Sequence, residues 1–244
     1  MKKILIALSG ALVSFTTIAQ SNKYDTLAVL IIDRMTDVIG DLESCSYKLN
    51  VANDVNEPSK GLVKHFSDFE VYMGGPDKML VIVHGYKGHR EMWYNGDQMA
   101  YYSFDENNYG VIKTPDNIIK TIDSLNDLYD IEFPAADFFY PAFTDDLLQS
   151  SDSLRFLGAT NIGGKQYFDV MSYGKEMNVE FWINDDAYNL PARFAITYKN
   201  KDGRPQYLGV FSDWQVNPKL PAAMFDFLPP PGAARVRMMS KKDR

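Results

Sequence analysis

From Cys45 onward the chain is written in short runs of period two, separated by turn residues, and that pattern constrains the fold more than any other feature. Alternation of apolar and polar side chains puts successive residues on opposite faces of a strand, so one face of each run is destined for a core. Residues 63–73 alternate in part, with Phe69, Val71 and Met73 on one face and Asp68, Glu70 and Tyr72 on the other. Gly74-Gly75-Pro76-Asp77 reads as a turn, 79–84 as a strand, 85–88 as a turn and 89–94 as a strand. Asn95-Gly96 is the strongest hairpin signal, because a two-residue turn needs residues that tolerate positive φ. It joins 91–94 to 98–102. Strands resume at 156–160, 167–173, 179–184, 192–198 and 206–214, with Gly163-Gly164, Asp185-Asp186 and Asp202-Gly203 among their connections.

Two stretches break the alternation. Residues 25–42 place Leu27, Leu30, Ile31, Val38, Ile39 and Leu42 at helical spacing. Thr114-Pro115-Asp116 predicts a helix start, with Thr114 as N-cap and Pro115 in the first turn, followed by Ile118, Ile119, Ile122, Leu125 and Leu128 on one face. The very apolar run 134–141 reads as a short helix or loop, and 221–225 as one short turn before a final extended segment. There is no internal repeat and no linker. The expectation is a single α+β, mainly β domain over residues 20–236. It is one curved antiparallel sheet, an open half-barrel, with an N-terminal helix and a central helical lid. A strongly curved sheet of that many strands has a concave apolar face that must close on itself or be covered.

The N-terminus predicts export. Met1-Lys2-Lys3 is a positive start, residues 4–18 are apolar but too short to span a bilayer, and Thr17-Ile18-Ala19 offers small residues at the cleavage positions. Residues 1–19 are therefore read as a signal peptide cut after Ala19, which makes the protein periplasmic. Removing it takes two of the 25 basic residues and none of the 32 acidic ones, leaving a net charge of −9. A surface that acidic disfavours nucleic acid and anionic head groups. Residues 237–244 form a basic tail, read as a solvated, disordered end. No later stretch is apolar enough to cross a membrane. Cys45 is the only cysteine, so no internal disulfide holds the fold, and a buried thiol is the expectation.

Reactive constellations are scarce. His84 and His89 flank the 85–88 turn and are placed to approach each other, but no third ligand at zinc spacing accompanies them or His65. No nucleophile elbow, phosphate-cradling loop or calcium loop is present. Asp145-Asp146 and Asp185-Asp186 sit where solvated turn or helix-end acids are common. No catalytic residue, metal site or cofactor is assigned. What stands out is 15 Tyr, 15 Phe and 11 Met, which either fill a core or line a hollow for ligands of variable shape.

Several phrases, in this order, resemble a known group: Trp93-Tyr94-Asn95-Gly96-Asp97, Pro115-Asp116-Asn117-Ile118, and the stretch from Leu128 to Asp137. Then come residues 158–164, Phe181-Trp182-Ile183-Asn184, Leu190-Pro191-Ala192-Arg193 and Pro230-Pro231-Gly232-Ala233. Together they resemble a family of predicted periplasmic proteins of unknown function, within the superfamily of the lipoprotein carriers LolA and LolB and the envelope-stress regulator RseB. The resemblance implies a half-barrel whose apolar hollow takes acyl chains. It turns Val81, Val83, Met92, Tyr94, Met99, Tyr101, Phe181, Ile183, Phe194 and Ile196 inward, with Ile118 and Ile122 contributed by the lid. Leu80 and Ile82 depart from it, since relatives tend to place polar residues there. That implies either a greasy outer face for a partner or a different strand phase. The reading is a non-enzymatic periplasmic carrier or binder of an acylated or other hydrophobic ligand. The alternative is a sensory or interaction module that binds a peptide or an envelope protein, motivated by Leu80, Ile82 and the run Phe138-Phe139-Tyr140.

Overall fold

The computed structural model describes residues 22–243. The leader and its cut after Ala19 lie outside the described residues. The chain begins with α1 (Thr26–Gly40) and then a first meander: β1 (Ser44–Glu57), β2 (Gly61–Gly74), β3 (Lys78–Gly85), β4 (Gly88–Tyr94), β5 (Gln98–Ser103) and β6 (Asn108–Lys113). Next come α2 (Ile118–Tyr129), a 3-10 turn (Ala136–Phe139) and α3 (Phe143–Ser150). A second meander follows: β7 (Ser151–Ile162), β8 (Lys165–Gly174), β9 (Met177–Asn184), β10 (Pro191–Tyr198) and β11 (Gln206–Val216), with the short β12 (Ala234–Arg235) at the end.

The strand order is β12-β6-β5-β4-β3-β2-β1-β11-β10-β9-β8-β7, antiparallel throughout except for the β12–β6 pair. This order explains the lid. The first meander runs outward from the centre of the sheet to β6, whereas the second starts at the opposite edge, at β7, and works back to pair β11 with β1. The connection from β6 to β7 must therefore cross the whole width of the sheet. The chain makes that crossing as α2, the 3-10 turn and α3, beneath the concave face, and α1 joins them there.

Local chemistry sets the element ends, and in three places it moves them from the sequence expectation. Asp25 caps α1 by accepting from the Leu27 N–H at 3.0 Å, and the helix buries Ala28, Ile31, Ile32, Met35 and Ile39. Leu27 and Leu30, expected on the buried stripe, face solvent. The helix is rotated from the expected phase, so that Ile32 and Met35 take the core positions in place of the two leucines. In α2 the cap is Asn117, whose side chain accepts from the N–H groups of Ile119 and Lys120 at 3.0 and 3.2 Å, three residues past the expected Thr114. Asn is the better cap, and the Pro115 carbonyl serves instead as acceptor for the Tyr94 hydroxyl at 2.7 Å and Thr121 Oγ1 at 3.1 Å. The hairpin turn is also displaced by one residue. Asn95 pairs with Gln98, so Gly96 (φ 94°) and Asp97 form the turn, and Gly96 alone supplies the positive φ that the first central position needs.

Candidate functional site: the covered concave face

Register fixes which side chains share the hollow. Tyr47, Val71, Val81, Met92 and Tyr101 lie opposite one another across β1 to β5, and Cys45, Met73, Met79, Tyr94 and Met99 form the next row. In the second meander Val170, Phe181 and Phe194 are aligned, as are Phe168 and Ile183, and Val179 and Ile196. Of the residues proposed from sequence, Val81, Val83, Met92, Tyr94, Met99, Phe181, Ile183 and Phe194 are buried on strands, and Ile118 and Ile122 are buried on α2. Tyr101 and Ile196 are partly exposed and pack against the same core.

Sequence reasoning missed what fills the space between them. Phe138, in the apolar run between α2 and α3, is 4% exposed. Its ring lies 5.2 Å from Phe143, 5.3 Å from Phe194, 5.6 Å from Phe211 and 6.0 Å from Phe181, mostly edge-to-face. Phe138 thus fills the middle of the concave side, held by one residue of the cover and three of the sheet. One cavity of about 10 Å³ is bounded by Tyr47, Val71, Met79 and Val81 on the sheet and by Phe133, Pro134 and Ala136 on the cover. That is room for about one water, whereas small-molecule sites run to about 300–1,000 Å³. The hollow exists, and the chain's own aromatic side chains occupy it.

The cover and the sheet are held differently. Among the described residues, the backbone hydrogen bonds of residues 130–146 run within that segment or back to the end of α2, and none reaches a strand. Side-chain links go to other helical elements: Tyr140 Oη donates to Asp123 at 2.5 Å, and the Thr36 and Thr144 hydroxyls lie 3.2 Å apart. Asp130 and Ala135 both adopt left-handed backbone (φ 56° and 62°), which bends the chain on either side of residues 131–134. The rim is acidic. Burial pushes the Asp137 carboxyl up, and Tyr207 is pushed up by burial and then by Tyr198, Glu132 and Asp137.

Cys45, which lies in the hollow, is not a nucleophile. Burial pushes the Cys45 thiol up to about 12, which leaves it protonated and inert. The histidines do meet, but on the convex face. His84 and His89 stack at 3.9 Å, His89 stacks on Phe104 at 3.7 Å, and Glu91 Oε1 lies 3.4 Å from His89 Nε2. Rings stacked face to face do not aim their nitrogens at one point, and His89 Nε2 is buried without a hydrogen-bond partner. Among the described residues no three His, Cys, Asp or Glu side chains are placed to hold a metal ion.

The convex face settles the Leu80 question. The strand phase is as expected, with Val81 and Val83 inward, and Leu80 is nonetheless only 7% exposed. The C-terminal segment packs beside it, against its cross-strand partner Trp93. Phe227 sits 4.9 Å from Trp93, 5.3 Å from Tyr109 and 6.1 Å from Tyr102, and Asn95 Nδ2 donates to Asp226 at 3.0 Å. The greasy outer face of β3 and β4 is a seat for the chain's own end. Residues 237–242, set aside from sequence as a tail, continue along β6, where Met238 lies over Gly110 and Lys241 Nζ reaches Asp130 at 2.8 Å.

Comparison with known proteins bears on the family. Residues 28–239 match the model of a family described as predicted periplasmic protein (DUF2092). No curated protein matches the chain. Among solved structures, an uncharacterized conserved protein from Thermus thermophilus is similar at 13% identity and TM-score 0.49, covering 86% of this chain and 99% of that one. The Mycobacterium tuberculosis lipoprotein LppX aligns at 14% identity and TM-score 0.49, over 81% of this chain and 99% of its own. A LolA superfamily protein from Nitrosomonas europaea aligns at 9% identity and TM-score 0.39, over 82% of this chain and 97% of its own. No helix among the described residues is long and apolar enough to cross a membrane.

Proposed function

The chain belongs to the family of predicted periplasmic proteins DUF2092, and from that premise we propose that it is a non-enzymatic binder or carrier of an acylated or otherwise hydrophobic ligand. The observation that carries the reading is Phe138: an aromatic plug, delivered by a segment with no backbone bond to the sheet, in the centre of an apolar hollow. The ligand site is the set named from sequence, with Phe138, Phe143 and Phe211 added. A guest takes the place of the cover's side chains.

Magnitudes decide which guests qualify. Exposing Phe133, Phe138 and Phe143 costs roughly 5–9 kcal/mol, at about 1.5–3 kcal/mol for each ring. Burying a saturated chain returns about 0.8 kcal/mol per CH₂, so about sixteen carbons return roughly 12 kcal/mol before association costs. Only long chains can displace the plug. The test is mass spectrometry of the organic extract of protein purified from its native envelope, together with titration of fluorescent fatty acids of graded length. Co-purified acyl species and affinity rising steeply above about ten carbons are expected. An extract free of lipid, with no binding at any length, sinks the proposal.

A second reading, a module that binds a peptide or partner domain, is favoured by Phe66 and Tyr86. Both are exposed where the β1–β2 hairpin outruns its neighbours, whose pairing ends at Asn53 and Ser67. A stoichiometric partner retained after delipidation would favour it over the first.

A further inference from the structure

The end of the chain forms an unusual edge on an acidic protein. Residues 235–244 hold five basic residues and a single acidic one, in a chain whose formal net charge is −7. A basic terminus is ordinarily a solvated end. Here it is pinned. Phe227 rests 5.3 Å from the Tyr109 ring, and the Val236 N–H donates to the Tyr109 carbonyl at 2.8 Å, so both ends of the intervening loop close on one residue of β6. Within that loop β12 pairs with Asn108 and Tyr109, and Asn107 Nδ2 donates to the Gly232 carbonyl at 3.2 Å. Beyond it Met238 lies so close to Gly110 that a Cβ at residue 110 would come within 2.4 Å of its Cγ.

This pinned edge presents apolar side chains to solvent between its charges. Leu228 is 83% exposed, Met239 51% and Val236 41%. Arg235, Arg237 and Lys242 are exposed among them. Exposed apolar residues interleaved with Lys and Arg, on a backbone already ordered, are the chemistry of a surface that lies on an anionic bilayer. The apolar side chains enter the interface, the cations meet phosphate, and little ordering entropy is lost because the strip is tied down beforehand. The net negative charge of the rest of the chain then opposes contact of its remaining surface with the membrane.

We infer that the β6 edge, from Leu228 to Lys242, is a docking surface for anionic phospholipid. This inference goes beyond the cargo reading and does not rest on it, because docking at the edge needs no opening of the hollow. It is tested by co-sedimentation of the chain from residue 20 to 244 with vesicles of phosphatidylglycerol and phosphatidylethanolamine in roughly equal parts, and with phosphatidylcholine vesicles. The expected result is partition onto the anionic vesicles alone, lost in about 0.5 M salt. R235Q/K242Q should weaken it about 30-fold, as two charges near a membrane surface are worth about a factor of five each. L228S/M239S should weaken it with the salt dependence kept. Circular dichroism of each variant checks that the fold is unchanged. No partition onto anionic vesicles, equal partition onto phosphatidylcholine, or undiminished partition of R235Q/K242Q overturns the inference.

Discussion

The two faces of the sheet are both covered by the chain, by opposite means. On the concave side the cover from Asp130 to Asp146 rests on rings and hydroxyls and has no backbone bond to any strand among the described residues. On the convex side the C-terminal segment is stitched down. Ala234 donates to the Asn107 carbonyl at 3.0 Å and Val236 to that of Tyr109 at 2.8 Å, and the Asn95–Asp226 bond and the Phe227 clasp fix the rest. Apolar packing is non-directional, so another apolar body can replace it, whereas a backbone ladder accepts only another strand. The proposed binding role therefore assigns exchange to the concave face, whose cover is the unit expected to open first, while the C-terminal segment is expected to open with the sheet.

The sharpest way to break this comparison is Phe138→Ala. Removing a buried ring with four aromatic neighbours should cost about 3–5 kcal/mol in urea unfolding. It should at the same time strengthen binding of a fluorescent fatty acid, because the plug is gone. A loss of stability with no change in binding would make Phe138 ordinary core. Phe227→Ala is the matched cut on the other face. Being half-buried, it should cost about 2 kcal/mol and leave fatty-acid binding unchanged. Were it to alter binding as strongly as Phe138→Ala, the two covers would be coupled and the contrast false.

Tyr94→Phe acts at the joint between sheet and lid. Its hydroxyl is one of two donors to the Pro115 carbonyl, and the other, Thr121, remains. The expected cost is about 1 kcal/mol. Hydrogen exchange should speed up in α2 and not along β12. Uniform acceleration would show that α2 does not open as a separate unit.

The same contrast explains what could be read from the sequence. Inward strand positions were legible because alternation forces them: once Met92 faces in, so must Tyr94. The β1–β2 ladder was legible only in part, because Asn50, Asn53 and Asp54 are poor strand formers and are held there by pairing with β2 and β11. The N-terminal helix was visible, but its phase was not, since Leu27 and Leu30 are as apolar as the residues that won. Phe138 lies in a run with no period, so nothing local says that it points inward. That depends on a crossing from β6 to β7 that only strand order reveals. The strap was hidden for the same reason, as Phe227 precedes a proline run with no strand or helix pattern. Contacts made across long sequence separations are what the pattern omits, and both covers are made of them.

The smallest expected effect tests the half of the convex face beyond the residues that Phe227 touches. On β8 and β9 two carboxyls approach each other there. Burial pushes Asp169 up, and Glu180 is pushed up by burial and then by the charge of Asp169. A carboxyl whose folded value is raised binds its proton more tightly in the folded state. Its stabilisation is full below the ordinary carboxylate range and is lost as pH rises through the raised value. At neutral pH the two charges therefore repel. Asp169→Asn removes one of them and should stabilise the protein by less than about 1 kcal/mol, since both groups are only partly buried and their repulsion is partly screened. The gain should shrink as the pH falls from neutral into the carboxylate range, where the raised carboxyls of the parent take up protons. Thermal unfolding of both proteins across that range reads it directly. If the variant is less stable at neutral pH, Asp169 is a needed hydrogen-bond acceptor for its neighbours, and this uncovered half of the convex face is held by polar contacts where the other half is held by a strap.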